Sequence, residues 1–213
     1  MAEGLTLDKV EILHGDAPLV ALDAHIGPGE VLSVMGPSGI GKSTLLSLVT
    51  GTLAPAFRHK GRVRLDGQDI TRVAPEARRI GILFQDDLLF PHLSVGENLA
   101  FGLSRGGSRT ERRARIEEGL AEIGLEGFAN RDPATLSGGQ KARVALMRML
   151  LAEPRALLLD EAFSGLDAER RDQMRKLVFE RAERCRLPVL MVTHDRADAE
   201  AARGRVVELG ARA

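Results

Sequence analysis

The 213-residue chain contains no tryptophan and no tyrosine, and seven phenylalanines make up its whole aromatic complement of 3%. That scarcity leaves little on which the bases of a nucleic acid would stack. Charge of one sign is not in excess either. Lys plus Arg and Asp plus Glu number 30 each, for a formal net charge of +0. An electrostatic nucleic-acid binder usually carries a basic surplus, so no nucleic-acid partner is expected. The single cysteine, Cys185, cannot form an internal disulfide and suits a reducing compartment. A core or half-buried position is expected for it. No apolar run approaches the ~18 residues that a membrane span needs. Met1-Ala2-Glu3-Gly4 supplies neither a basic n-region nor an apolar h-region, so no signal peptide is expected. If the chain serves a membrane process, another chain supplies the pore.

What the chain does contain is enough apolar sequence for one domain with a smaller subdomain. Residues 4–14 and 18–26 read as strands around the turn Gly15-Asp16-Ala17-Pro18. Val31–Met35 is a short apolar run of the kind found in a buried parallel strand. Residues 61–66 alternate as a half-exposed strand, and Ile80–Phe84 reads as a core strand ending at Gln85. Residues 95–133 look mainly helical, with a capping box at Ser108–Glu111 and an apolar stripe of Ile116, Leu120 and Ile123. A helix over 139–152 follows. Strands at 156–160 and 188–193 flank a helix over 168–185, whose Met174, Leu177, Val178, Ala182 and Cys185 share a face. A strand at 205–209 comes last. Such alternation implies an α/β fold with a mainly parallel sheet and right-handed crossovers.

Three motifs carry chemistry. The first is Gly36-Pro37-Ser38-Gly39-Ile40-Gly41-Lys42-Ser43, followed by Thr44 at the start of a helical run. Its glycines let backbone N–H groups close around phosphate oxygens, where side chains would hold the anion off. The helix that begins near Lys42 aims its positive end at a phosphate. Lys42 adds a mobile cation for β- and γ-phosphates, and Ser43 offers a hydroxyl to Mg²⁺. The preceding apolar strand and following helix make this signal specific. The second motif is the apolar run Leu157-Leu158-Leu159, which delivers Asp160 and Glu161 to a strand's carboxyl end, where ligands of parallel sheets bind. There Asp160 suits a Mg²⁺ ligand and Glu161 a general base for water. The third is Leu136-Ser137-Gly138-Gly139-Gln140, which taken alone is an ordinary helix start. Arg143 and Arg148 behind it read as plain surface charges.

These three motifs, in this order and at these separations, resemble the ATP-binding cassette (ABC) family over nearly the whole chain. The resemblance implies a P-loop NTPase: a mainly parallel core sheet, an N-terminal antiparallel β-subdomain and an inserted α-helical subdomain. Residues 1–85 and 136–213 would form the nucleotide-binding core, and about 86–135 the helical subdomain. It implies ATP and Mg²⁺ as ligands, with Ser43, Gln85 and Asp160 at the metal. Glu161 would be the base, His194 would touch the γ-phosphate, and Gln85 would meet Mg²⁺ and the attacking water. Ser137, Gly138, Gly139 and Gln140 would close on ATP held by a second copy of the chain, in a two-fold dimer. Ser164-Gly165-Leu166-Asp167 resembles the loop that crosses that interface. Ala162 stands where the family commonly has proline, which frees one backbone torsion.

The stretch Asp86–Val95 resembles the segment by which importer ATPases grip a membrane permease, with the contact expected at residues 86–93. From Gln85 to Gly102, and at Thr135–Gln140, the chain is similar to bacterial subunits of the thiamine, sulfate, molybdate and polyamine uptake group and to YnjD-type subunits. A substrate-binding protein and a place on the cytoplasmic face of the inner membrane follow from that resemblance. The ATPase of an exporter or lipoprotein-release complex stays open as an alternative, with a soluble ABC ATPase behind it. The chain stops about 20 residues after His194, so no C-terminal regulatory domain is expected. Arg109, Arg112, Arg113 and Arg115 interleave with Glu111, Glu117 and Glu118 and read as a solvated helix face. Family members commonly stack adenine on an aromatic residue about 25 residues before the phosphate loop. Here that stretch is Glu11-Ile12-Leu13-His14-Gly15, so Leu13 or His14 must cover the base.

Overall fold

The computed structural model describes residues 3–104 and 106–210. Two sheets, six α-helices and two short 3-10 turns make up this part of the chain. β1 (Leu5–His14), β2 (Ala17–Ile26), β4 (Phe57–Leu65) and β5 (Gln68–Asp69) form an antiparallel sheet in the order β2-β1-β4-β5. β3 (Val31–Met35), β6 (Ile80–Phe84), β7 (Ala156–Asp160), β8 (Val189–Thr193) and β9 (Arg205–Glu208) form a parallel sheet in the order β6-β7-β8-β3-β9. The helices are α1 (Lys42–Thr50), α2 (Val95–Gly102), α3 (Arg109–Glu122), α4 (Gly138–Leu150), α5 (Ala168–Arg184) and α6 (Arg196–Ala202).

The inner strands of the parallel sheet, β7, β8 and β3, are buried on both faces, and their sequence shows how. In β7, Ala156 and Leu158 join a cluster with α1 and the antiparallel sheet, while Leu157 and Leu159 join a second cluster with α4 and α5. β8 divides in the same way, Leu190 and Val192 to one face and Val189 and Met191 to the other. A period of two with both faces apolar yields the continuous apolar run seen in the sequence. Each fully buried Leu or Val stabilises the fold by about 1.5–3 kcal/mol. A third cluster gathers Val95, Leu99, Leu120, Val144 and Met147 from α2, α3 and α4, with Ile123 and Leu136 from the adjoining turns.

Several sequence expectations need correction. β4 begins at Phe57, not at residue 61, because its first half pairs with β1 through backbone bonds while its side chains stay largely exposed. The stretch 95–133 is mainly helical, as expected, but among the described residues its α-helices are two, 95–102 and 109–122; Gly124 and Gly127, both with positive φ, turn the chain beyond them. α6 has seven residues and shows no apolar periodicity, so its pattern does not announce it. Cys185 is exposed at the C-cap of α5, one residue past the helix whose Met174, Val178 and Ala182 are buried. The basic group on α3 is partly structural. Arg112 donates to the carbonyls of Ala100 and Ser104, and Arg115 pairs with Glu153 at 2.7 Å.

Candidate nucleotide site

Sheet order builds the site. β6, β7, β8 and β3 are successive neighbours, with Phe84 opposite Asp160, Asp160 opposite Val192 and Thr193 opposite Met35. The residues just past their carboxyl ends, Gln85, Glu161, His194 and Gly36, therefore line one edge. The sequence pattern carried this information as four apolar runs, each ending in a polar or glycine residue.

α1 is the one α-helix here whose start lacks a side-chain cap. Its N-cap is Gly41, while Ser94, Ser108, Ser137, Asp167 and Asp195 cap the five others. The first amides of α1 thus remain open to an anion. Gly41 has φ 100°, and a Cβ there would lie 2.6 Å from Val20 and 2.8 Å from Leu19, so no other residue fits. Gly39, at φ 81°, has nothing within 4 Å of an added Cβ, which leaves the mouth of the loop clear. Lys42 is 5% exposed, yet its Nζ finds only the carbonyls of Gly36 at 2.7 Å and Pro37 at 3.1 Å. A buried ammonium bonded to carbonyls, with no carboxylate at ion-pair distance among the described residues, is built to receive an anion.

Ser43 Oγ donates to Asp160 Oδ1 at 3.1 Å, joining the phosphate loop to β7. Burial raises the pKa of Asp160, with Glu161 adding to the rise, while Ser43 and Lys42 oppose it. A half-buried carboxylate beside a second carboxylate and a hydroxyl is a hard-oxygen site that a divalent cation would relieve. Among the described residues no cluster of three or more His, Cys, Asp and Glu side chains could hold a metal without other donors. The residues fit a Mg²⁺ that takes its remaining ligands from phosphate and water.

Glu161 has φ 48°, a left-handed conformation that L-residues adopt at a cost of roughly 1–2 kcal/mol. Three bonds hold it there: Glu161 N donates to Val192 O at 3.0 Å, and Ser164 N and Oγ donate to Glu161 O at 3.1 and 2.9 Å. These bonds, with Ala162 buried beneath them, fix the turn without a proline. Glu161 Oε2 then lies 3.3 Å from His194 Nδ1. Gln85 is exposed, its carbonyl 4.0 Å from where a Cβ on Gly165 would lie, so the loop after β6 runs close to the loop Ser164–Asp167.

With that geometry, the comparisons decide the family. The model of the family described as ABC transporter matches residues 19–164. This chain belongs to the ABC transporter family. The chain is 49% identical over 183 residues to the uncharacterized ABC transporter ATP-binding protein YnjD of Escherichia coli (strain K12), covering 86% of this chain and 84% of that one. It is 43% identical over 196 residues to the thiamine import ATP-binding protein ThiQ of Yersinia pseudotuberculosis serotype I (strain IP32953), covering 92% and 81%. Of some longer import ATP-binding relatives it spans about half the length, 52–58%. Among solved structures it resembles cbiO1 from Clostridium perfringens, part of the ABC transporter complex cbiONQ, with TM-score 0.79, 31% identity, and 92% and 80% coverage.

In this ABC ATPase, Ser137–Gln140 opens α4 with a capping box, Gln140 N on Ser137 Oγ and Ser137 N on Gln140 Oε1 at 2.9 Å. The amides of Gly138 and Gly139 stay outside that box. Ser137 and Gly138 are exposed, whereas Gly139 is buried beside Arg170 of α5, so the start of this turn faces solvent. Arg143 and Arg148 are not plain surface charges. Arg143 donates to Ile123 O at 2.9 Å. Arg148 donates to Leu88 O at 2.9 Å and Asn98 Oδ1 at 3.3 Å, and stacks 5.0 Å above the Phe90 ring. Asn98, fully buried, ties down Phe90, Leu93 and Ser94. A buried amide with every polar atom bonded was the missed signal in Gly96-Glu97-Asn98. Leu89 turns inward between two apolar clusters, whereas Leu88 and Phe101 are 57% and 69% exposed beside the half-buried Phe90. Leu13 is half-buried and pairs with Pro18 and Arg58, and the exposed His14 ring packs 5.2 Å from Phe57. Among the described residues no helix is long and apolar enough to cross a membrane.

Proposed function

We propose that the chain is the ATP-hydrolysing subunit of a membrane importer, working as a two-fold dimer on the inner face of the cell membrane. The convergence of the phosphate loop, Asp160, Glu161 and His194 on one sheet edge supports the hydrolytic half of this reading. Phosphoryl transfer to water needs positioning and charge neutralisation more than covalent chemistry. The α1 amides and Lys42 hold the phosphates. Glu161 takes the proton of the attacking water, and His194 donates to the γ-phosphate. Mg²⁺ at Ser43, Gln85 and Asp160 would supply further charge neutralisation on the phosphates.

Ser137, Gly138, Gly139 and Gln140 serve the ATP of the other copy. The exposed Ser137 and Gly138, and glycine amides outside the capping box, support that assignment. ATP favours the closed pair only by as much as it binds that state better. The exposed Leu88 and Phe101, next to Phe90, form the surface for a permease helix. The names of the import relatives support uptake over export, and a substrate-binding protein belongs with uptake.

Mixing Lys42→Ala and Ser137→Ala chains tests the shared site. Each chain alone should be nearly inactive, and a heterodimer should regain one intact site. Heterodimers that form and stay inactive would argue against sites shared between copies.

A further inference from the structure

Two helix starts meet beside the site. α5 begins after the loop Ser164–Asp167, and α6 begins two residues after His194. Arg171, one turn into α5, joins them. One guanidinium nitrogen donates to Leu166 O at 3.0 Å and the other to Asp195 Oδ2 at 3.0 Å. Side chains on a helix lean toward its N-terminus, which is how Arg171 reaches back to the loop. Asp195 is itself fixed. Its Oδ1 accepts from Ala197 N at 2.8 Å, and its N donates to Thr193 Oγ1 at 3.0 Å. A second pair, Arg175 with Asp198, holds α5 against α6 one turn further along, and Thr193 Oγ1 donates to Asp198 Oδ2 at 2.8 Å. Arg175 and Asp198 side chains are 10% and 3% exposed, so the packing of the two helices does not rest on Arg171 alone.

We infer that Arg171 is a positioning residue that couples the loop Ser164–Asp167 to His194. The inference rests on the role given to His194 above. A guanidinium fork spans two acceptors at once, whereas a lysine ammonium is a single mobile point charge. A shift of Leu166 therefore moves Asp195, and with it the backbone that carries the imidazole. If the loop lies at the dimer interface, the arrival of the second copy reaches His194 through two hydrogen bonds.

The test compares Arg171→Ala, Arg171→Lys, His194→Ala and the double variant Arg171→Ala/His194→Ala. Turnover, KM for ATP, binding of a fluorescent ATP analogue and thermal midpoint are measured on each. Arg171→Ala should lower kcat about tenfold and leave KM and analogue binding within about twofold, with Arg171→Lys between it and the wild type. The double variant should keep the residual turnover of His194→Ala to within about twofold, because the lost bonds act through the imidazole. Losses that multiply in the double variant, or wild-type kcat in both Arg171 variants, overturn the inference. If Arg171→Ala does not fold, Asp195→Asn, which keeps an acceptor for Ala197 N, takes its place in the same cycle. Near-normal turnover in His194→Ala removes the role on which the inference stands, a result separate from a failure at Arg171.

Discussion

His194 Nδ1 and Glu161 Oε2 are 3.3 Å apart, although 33 residues of chain separate them. Strand register brings them together. β7 and β8 pair in parallel with Asp160 opposite Val192, so both residues leave the sheet at adjacent points. The left-handed turn at Glu161, bonded to Val192 O, then aims its carboxylate toward the imidazole. Strained backbone held by its surroundings is common where a side chain must be aimed.

Asp87 gives a pH test. Burial raises its pKa to about 6, with Lys141 opposing and Asp86 adding to the rise. The folded chain therefore holds a proton that the unfolded chain has released between about pH 4 and 6. Stability falls as pH rises through that window, because the unfolded state binds fewer protons there. Asp87→Asn should flatten this part of the curve of thermal midpoint against pH and raise the midpoint at pH 7.5. An unchanged slope between pH 4 and 6 in the variant would contradict this view of Asp87.

The proposed permease surface can be separated from the core next to it. Leu88→Asp and Phe101→Asp change exposed side chains and should abolish transport or release the protein from its permease, with basal hydrolysis kept within about twofold. Leu89→Asp should instead lower the thermal midpoint, since Leu89 packs against two apolar clusters. Pull-down with the permease and a melting curve on each variant distinguish the two effects. Full transport by Leu88→Asp and Phe101→Asp would move the docking surface elsewhere.

The absence of tyrosine and tryptophan bears on base selectivity. We propose that Leu13 or His14 covers adenine without an aromatic face; the His14 ring packs on Phe57. Stacking can add about 0.5–1.5 kcal/mol beyond burial, so ATP and GTP affinities should lie within about tenfold of each other. Leu13→Tyr or His14→Tyr should tighten ATP binding by a few-fold in a competition assay. Strong ATP preference in the wild type, with no gain in either variant, would point to a different adenine contact.

The sequence made the site legible where chemistry and backbone geometry demand fixed residue types. Glycines at 36, 39 and 41, Lys42 and the acidic end of β7 could be read directly, because few other residues close a loop around phosphate or end an apolar strand in two carboxylates. It was mute where side chains act at a distance along the chain. Arg171 is an unremarked arginine in a helix rich in charge, and its partners Leu166 and Asp195 lie in two separate loops. Arg78 is buried and bonds the carbonyls of Leu48 and Val49 at the end of α1, yet its surroundings in sequence look like exposed loop. Asn98 likewise reads as one polar residue in an amphipathic helix. Sequence pattern does not mark these residues, because a bond to a particular backbone group or loop carboxylate leaves no periodicity, whether the partner is a few residues away, as for Asn98, or brought near by folding, as for Arg78 and Arg171.

Glu161→Gln tests the central claim most directly. The amide keeps the shape of the side chain and cannot take a proton from water. ATP turnover should fall by about 10²–10⁴-fold, while ATP binding persists and an ATP-bound dimer accumulates on size-exclusion chromatography. Near-normal hydrolysis by Glu161→Gln would remove Glu161 as the base and contradict the account.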